Sequence, residues 1–232
     1  MTAIPVVPIA RIELTLRPRP WRFADERRRD IDAHFATLKR ERPALWNGRV
    51  LLLHEFAIAD GVFRGDYFET DFASLLAWRD WDFPDPAVRN CFAMGALRAS
   101  DGAFLLGLMA AHTANAGRIY FPAGTPDPGD IVGAVVDLDG GVRREVAEET
   151  GLAFDALDAE PGWHAVLAGP RVALMKVLHA RDSAAELRTR ILDHLARERE
   201  PELADIRIVR DPGDLDPRMP PFVTAFLAHM WR

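Results

Sequence analysis

The sequence predicts a mixed α/β fold of the α+β kind, in which strands and amphipathic helices enclose a substantial core. The chain has 232 residues, of which 49% are hydrophobic, and this is enough to bury a large interior. Strand-like runs alternate with helical stretches along the chain. Prolines interrupt regular structure at Phe83-Pro84-Asp85-Pro86. We therefore expect an N-terminal α/β extension over residues 1–88 and a larger domain over residues 89–232.

Turn and cap residues define the elements of the N-terminal extension. Asp60-Gly61 separates two strand-like runs and suits the positive φ angles of a tight hairpin. Asp71 precedes an apolar helical pattern that it can cap, and Pro43 closes an earlier helix. The predicted order is a strand over 6–16, a helix over 24–42, strands over 50–59 and 62–68, and a helix over 71–81.

Similar residues define the elements of the larger domain. Asp101-Gly102 suits a hairpin turn, Ser183 can cap a helix, and Pro220-Pro221 opens a terminal helix. The predicted order is strands over 92–99, 103–110 and 118–121, a helix through 144–150, strands over 163–168 and 171–179, a helix over 183–199, a strand over 206–210 and a helix over 222–231.

The most informative stretch is Arg144-Glu145-Val146-Ala147-Glu148-Glu149-Thr150-Gly151-Leu152. Glu145, Glu148 and Glu149 stand at i, i+3 and i+4, so all three project from one face of a helix. Like charges on neighbouring turns repel, whereas carboxylate clusters suit hard cations such as Mg²⁺ or Mn²⁺. The pattern therefore indicates a metal site near a helix end. The alternative is a solvated helix face with an i,i+4 pair between Arg144 and Glu148.

At these residues the chain resembles the Nudix hydrolase family (MutT-like), whose motif is G-x5-E-x7-R-E-U-x-E-E-x-G-U, with U a bulky aliphatic residue. The second half of the motif matches at every specified position: Arg144, Glu145, Val146, Glu148, Glu149, Gly151 and Leu152. In the first half Gly124 matches, and Asp130 stands where the pattern has Glu. Thirteen residues rather than seven separate Asp130 from Arg144, an insertion of six within residues 131–143. We expect the insertion to lengthen or repack the loop before the helix.

The resemblance implies a Nudix-type mixed β-sheet between helices, and the hydrolysis of a diphosphate bond with Mg²⁺ or Mn²⁺ as cofactor. It implies that Glu148 and Glu149 are metal ligands, and that Glu145 is a further ligand or the general base. Arg144 would hold a glutamate in position. Some relatives take the base from outside the motif, and Glu198, Glu200 and Glu202 are candidates here.

The substrate predicted by this resemblance is a small molecule linked to a nucleoside diphosphate, such as a nucleotide-sugar, an ADP-ribose-like compound or a coenzyme A derivative. The N-terminal extension and the insertion depart from the short layout of members that cleave nucleoside triphosphates. Candidate substrate contacts are His112, Asn115 and Arg118, in a polar loop before the motif. Turn formation by Asn and Gly is the alternative explanation of that loop. The alternative function is a catalytically silent ligand-binding or sensor module of the same family.

Charge and cysteine content narrow the remaining possibilities. The net charge of −6 argues against a nucleic-acid partner, which requires a basic surface. Cys91 is the sole cysteine, so no disulfide can form within the chain, in keeping with a reducing cytoplasm. No signal peptide or membrane-spanning run is recognisable, and we expect a cytoplasmic protein with no membrane partner.

The resemblance allows the N-terminal extension a role in substrate selection or in homodimer formation. An equal alternative is that the extension is a purely structural layer that completes the sheet.

Overall fold

The computed structural model describes residues 3–232 as a mixed α+β fold, and the described residues form two mixed sheets and six α-helices. The helices are α1 (Arg22–Glu26), α2 (Arg28–Glu41), α3 (Phe72–Asp80), α4 (Leu138–Thr150), α5 (Ala184–Leu195) and α6 (Pro221–Met230). The strands are β1 (Val6–Ile9), β2 (Arg11–Leu16), β3 (Arg49–Ala59), β4 (Val62–Asp71), β5 (Asn90–Arg98), β6 (Phe104–Met109), β7 (Ile119–Tyr120), β8 (Ile131–Val132), β9 (Val135–Val136), β10 (Asp158–Ala159), β11 (Trp163–Ala168), β12 (Arg171–His179) and β13 (Leu203–Val209).

The larger sheet has the strand order β1-β11-β12-β5-β6-β13, with β7 beside β6 and β10 beside β12. β5 and β12 run parallel, and the other pairs are antiparallel. Alternation along β5 directs Gly95 towards Val146 of α4, and Phe92 towards Phe222 of α6. Helices therefore cover both faces, and the predicted mixed sheet between helices is confirmed.

The smaller sheet has the order β3-β4-β2-β9-β8. Asp60 and Gly61 join β3 to β4 with φ angles of 51° and 71°, so the predicted hairpin turn is confirmed. Asp71 accepts a hydrogen bond from the Ser74 amide at 3.0 Å and caps α3, as predicted. A second core of buried side chains, including Ile31 and Trp78, lies under this sheet and is separate from the main core.

The predicted strand over residues 6–16 is wrong as one element, because the chain breaks at Ala10. The Ala10 amide donates to the Gly61 carbonyl at 2.6 Å, and the chain turns there. β1 then pairs with β11 in the larger sheet, whereas β2 pairs with β4 in the smaller one. A period-two pattern cannot reveal a change of sheet, because alternation continues through it.

The insertion in the motif forms the β8–β9 hairpin, which turns through Gly133 at a φ of 65°. β9 pairs with β2 at Val135 and Thr15, and the Leu16 amide donates to the Ala134 carbonyl at 2.9 Å. Each sheet thus contains a strand from the other part of the chain. The division at residue 88 stays a prediction.

Two predicted helices differ in extent from the observed ones. The helix over 24–42 is divided at Arg27 into α1 and α2, and the helix over 183–199 ends at Leu195. Ser183 caps α5 as predicted, since its hydroxyl accepts from the Glu186 amide at 3.4 Å. No helix within residues 3–232 is both long enough and apolar enough to cross a membrane.

Candidate active site

The motif helix α4 is fixed at both ends by local chemistry. Asp137 caps its start by accepting a hydrogen bond from the Gly140 amide at 3.0 Å. Gly151 ends it in the left-handed conformation at a φ of 67°, which glycine adopts without a Cβ clash. Val142 and Val146 are buried and hold α4 on the sheet, and Glu145, which lies between them in the sequence, meets the motif loop at Gly124.

Gly124 lets the motif loop pass directly over Glu145. A Cβ built on Gly124 would lie 2.7 Å from the Cδ atom of Glu145 and still closer to Oε1. The Gly95 amide anchors this loop by donating to the Pro122 carbonyl at 3.0 Å. The motif glycine is therefore required by close approach and not by a positive φ, because Gly124 is not one of the left-handed glycines.

Glu149 is buried beneath the same loop, with only 4% of its surface exposed. Its Oε1 accepts a hydrogen bond from the Ala123 amide at 3.2 Å, whereas Oε2 is buried without a hydrogen-bond partner among residues 3–232. Burial raises the pKa of Glu149 well above its usual range, and the charge of Glu145 adds to the effect. An unpaired buried carboxylate oxygen is costly unless a cation or a proton satisfies it.

Arg144 connects the two halves of the motif. Its guanidinium donates to Asp130 Oδ1 at 2.9 Å and to Glu145 Oε1 at 2.6 Å, and it lies 3.6 Å from Glu148. Asp130 is itself buried and accepts from the Asp127 amide at 3.1 Å. The shorter Asp130 side chain therefore reaches Arg144 despite the insertion, and together they fix the position of Glu145.

Electrostatic repulsion is concentrated around Glu145. Burial raises its pKa to about 7, and the charges of Glu148 and Glu202 act in the same direction, while Arg144 opposes them. Glu202 stands immediately before β13, and its charge also raises the pKa of Glu149. Of the downstream candidates, Glu202 is therefore the one whose charge acts on the motif carboxylates, whereas Glu198 lies 3.1 Å from His194.

The donor set fits a divalent cation in its chemistry. Glu145, Glu148 and Glu149 offer carboxylate oxygens alone, which hard cations prefer, and the unpartnered Oε2 of Glu149 is one available donor. Within the described part of the chain, however, no three His, Cys, Asp or Glu side chains are grouped closely enough to hold a metal. Glu148 is 61% exposed, whereas Glu149 is buried. The ligand assignments stay predictions.

A cavity of about 290 Å³ opens beside the motif loop. Asn115 and Arg118 line it, as do Ala123 and Gly124 of the motif loop. Asn115 also donates to the Tyr120 hydroxyl at 3.1 Å. His112 is exposed and lies outside this lining. Two of the three candidate contacts thus line the same cavity as the motif loop.

Three further polar residues line this cavity without any signal in the sequence: Arg79 from α3, Asn90 from β5 and Arg171 from β12. Asn90 and Arg171 are neighbours because β5 and β12 pair in parallel, with those two residues in register. No local pattern marks them, since the two residues are far apart in the sequence and meet only in the folded sheet.

Comparison with known proteins gives structural similarities. No protein-family model matches the chain, and no curated protein matches it. The Nudix hydrolase RenU from M. smegmatis has 17% identity and a TM-score of 0.39, over 61% of this chain and 81% of that one. The MutT protein from Methanosarcina mazei Go1 has 19% identity and a TM-score of 0.42, over 62% and 94%. The protein Tm1382 has 12% identity and a TM-score of 0.43, over 78% and 97%.

Proposed function

We propose that the protein is a metal-dependent hydrolase of the Nudix type that cleaves a diphosphate bond in a nucleotide-linked small molecule. The observation that carries the proposal is the arrangement around Arg144, which binds Asp130 and Glu145 together beneath Gly124. A solvated helix face would need neither the buried aspartate nor the close approach of the loop. The complete second half of the motif supports the same activity.

Glu145, Glu148 and Glu149 are the residues that would hold Mg²⁺ or Mn²⁺. When bound, such a cation neutralises phosphate charge and lowers the pKa of water. The side chains around it have separate tasks. The Ala123 amide orients Glu149 through its hydrogen bond at 3.2 Å, and Arg144 orients Glu145. Both carboxylates are thereby positioned before substrate arrives, which is the main contribution a protein makes to phosphoryl transfer.

We assign the general base to Glu202. Its carboxylate is exposed, so it can take a proton from water, and its charge acts on Glu145 and Glu149. The Glu202 carbonyl accepts from the Ala110 amide at 2.8 Å, which fixes the backbone of the residue next to β6. In the reaction, water oxygen attacks one phosphorus, Glu202 takes the proton, and the bridging oxygen leaves with the other phosphate.

The decisive experiment is mononucleotide or phosphate release from a panel of diphosphate compounds with Mg²⁺, with Mn²⁺ and with chelator. The panel comprises ADP-ribose, nucleotide-sugars, coenzyme A, dinucleoside polyphosphates and nucleoside triphosphates. We expect metal-dependent turnover of a nucleotide-linked member, and a loss of that turnover in Glu149→Gln and in Glu202→Gln. Turnover that persists in chelator would contradict the proposal.

A ligand-binding module without catalysis is the second candidate. The observation that favours it is the absence, among residues 3–232, of three metal-binding side chains already grouped together. Such a module would gain thermal stability with a nucleotide ligand and release no product at any metal concentration. Against it stands the retention of Glu145, Glu148 and Glu149, which are the three carboxylates of the motif that would hold a catalytic cation.

A further inference from the structure

The cavity beside the motif loop is positively charged in a protein that is acidic overall. Arg79, Arg118 and Arg171 line it, and none of its lining residues is an aspartate or a glutamate. The net charge of the chain is −6, so a cavity lined by three arginines and no carboxylate is opposite in charge to the protein as a whole. Concentrated positive charge in a cleft attracts anions.

The three arginines differ in how far the protein itself neutralises them. Arg79 donates to Asp80 at 2.8 Å. The guanidinium of Arg171 lies 4.9 Å from the ring centre of Phe83, a contact that leaves its hydrogen-bond donors available. Within residues 3–232 no carboxylate lies within 4.0 Å of Arg171 or Arg118 in a salt bridge. Two guanidinium groups therefore remain for a ligand.

The positive charges in the cavity repel one another at Arg171. Burial lowers the pKa of its guanidinium, and the charges of Arg79 and Arg118 lower it further. The side-chain oxygen Oδ1 of Asn90, which also lines the cavity and pairs in register with Arg171, is buried without a hydrogen-bond partner in the described chain. An anionic group of a ligand would offset the repulsion among the arginines, and a hydrogen-bond donor of the same ligand would satisfy Asn90 Oδ1.

Much of the remaining lining of the cavity is apolar. Leu75 and Leu76 of α3, Phe92 and Met94 of β5 and Phe222 of α6 form it. The cavity meets the motif carboxylates at Gly124, which lines it and also packs on Glu145. A molecule whose diphosphate lies at the motif helix could therefore place another of its groups among the arginines.

We propose that this cavity binds a second anionic group of the substrate, a phosphate monoester or a carboxylate carried on one of the two moieties that the diphosphate joins. The inference rests on the proposed function for the position of the diphosphate. It narrows the substrate class to nucleotide conjugates that carry an additional anion. Guanidinium groups bind phosphate and carboxylate alike through paired N–H donors, so the cavity could hold either anion by the same hydrogen bonds.

Matched pairs of diphosphate compounds that differ in a single anionic group test the inference and separate the two sources. The pairs are coenzyme A with dephospho-coenzyme A, NADPH with NADH, and UDP-glucuronate with UDP-glucose. We expect the more anionic member of a phosphate pair or of the carboxylate pair to have a kcat/KM higher by about tenfold or more.

Arg118→Gln and Arg171→Gln should remove that preference, whereas Arg29→Gln, which replaces an exposed arginine on α2, should keep it. Equal kcat/KM within all three pairs would overturn the inference and leave the proposed function in place.

A binding measurement without metal separates failure of the inference from failure of the proposed function. Calorimetry in chelator would compare adenosine 3′,5′-bisphosphate, adenosine 2′,5′-bisphosphate and adenosine 5′-monophosphate with the wild-type protein and with Arg118→Gln. Arg118 is exposed, so its replacement should leave the thermal unfolding temperature unchanged. Tighter binding of a bisphosphate that Arg118→Gln abolishes would support the anion site even if no compound is hydrolysed. Equal binding of all three compounds, together with no preference in the carboxylate pair, would overturn it.

Discussion

Replacing Gly124 by alanine should damage the site without damaging the fold. The new Cβ would stand 2.7 Å from Cδ of Glu145, whereas ordinary van der Waals contact begins at 3.4 Å. The atom it meets is the end of a flexible side chain, so Glu145 can move away by about 0.7 Å or more. That movement breaks the placement of the carboxylate beside Arg144, which holds it at 2.6 Å.

The expected magnitude follows from that displacement. A misplacement of about 1 Å in a positioned catalytic group costs on the order of 100-fold in rate, or about 2.7 kcal/mol of transition-state stabilisation. Stability should change by less than about 1 kcal/mol, because alanine restricts the unfolded chain and Gly124 has no positive φ to lose. Gly124→Ala should therefore lower the activity strongly while its stability stays close to that of the wild type.

Gly48→Ala is the matched control, because its Cβ would meet nothing closer than Trp46 at 4.0 Å and it changes the unfolded chain in the same way. The assay measures kcat/KM on the substrate found in the panel, together with the thermal unfolding temperature of each variant. If Gly124→Ala retains the kcat/KM of the wild type and of Gly48→Ala, the close approach of the loop to Glu145 does not matter to catalysis.

Three further changes test the site, the core and the pH response. Glu148→Gln removes a charge from a side chain that is 61% exposed, so folding should survive while turnover at limiting metal falls by at least about tenfold; unchanged kinetics would exclude Glu148 as a ligand. Cys91 is fully buried and burial raises its pKa to about 12, so Ellman's reagent should label it at pH 8 only after urea unfolding; rapid labelling of native protein would contradict this placement. Burial lowers the pKa of His164, and the charge of His229 lowers it further, so the unfolded state binds more protons than the folded state. The free energy of unfolding, measured with urea, should therefore fall as the pH drops through about 6.5, and it should fall less in His164→Phe.

Features that depend on neighbouring residues could be predicted from the sequence. The caps at Asp71, Ser183 and Gly151 each need only the residues of one helix end, and the structure contains all three. The hairpin at Asp60-Gly61 is likewise a property of two residues. The carboxylates at i, i+3 and i+4 lie on α4 because helical periodicity alone puts them there.

Features that depend on distant pairing could not be predicted. Nothing near Val135 indicates that it pairs with Thr15 of another sheet, because a two-residue strand carries no pattern of its own. Arg79 and Arg171 reach one cavity only after α3 docks beside the parallel pair of β5 and β12. Asp130 could be located in the motif, but its contact with Arg144 required the insertion to fold outwards as a hairpin.

The N-terminal segment contributes directly to the site. The Leu51 amide of β3 donates to the Pro126 carbonyl of the motif loop at 2.7 Å. Arg42, at the end of α2, donates to the Ala114 carbonyl at 3.1 Å and so holds the loop that carries Arg118. α3 supplies Arg79 to the cavity wall. A segment that only covered the sheet would need none of these three contacts, and on that ground we propose that the segment takes part in substrate selection.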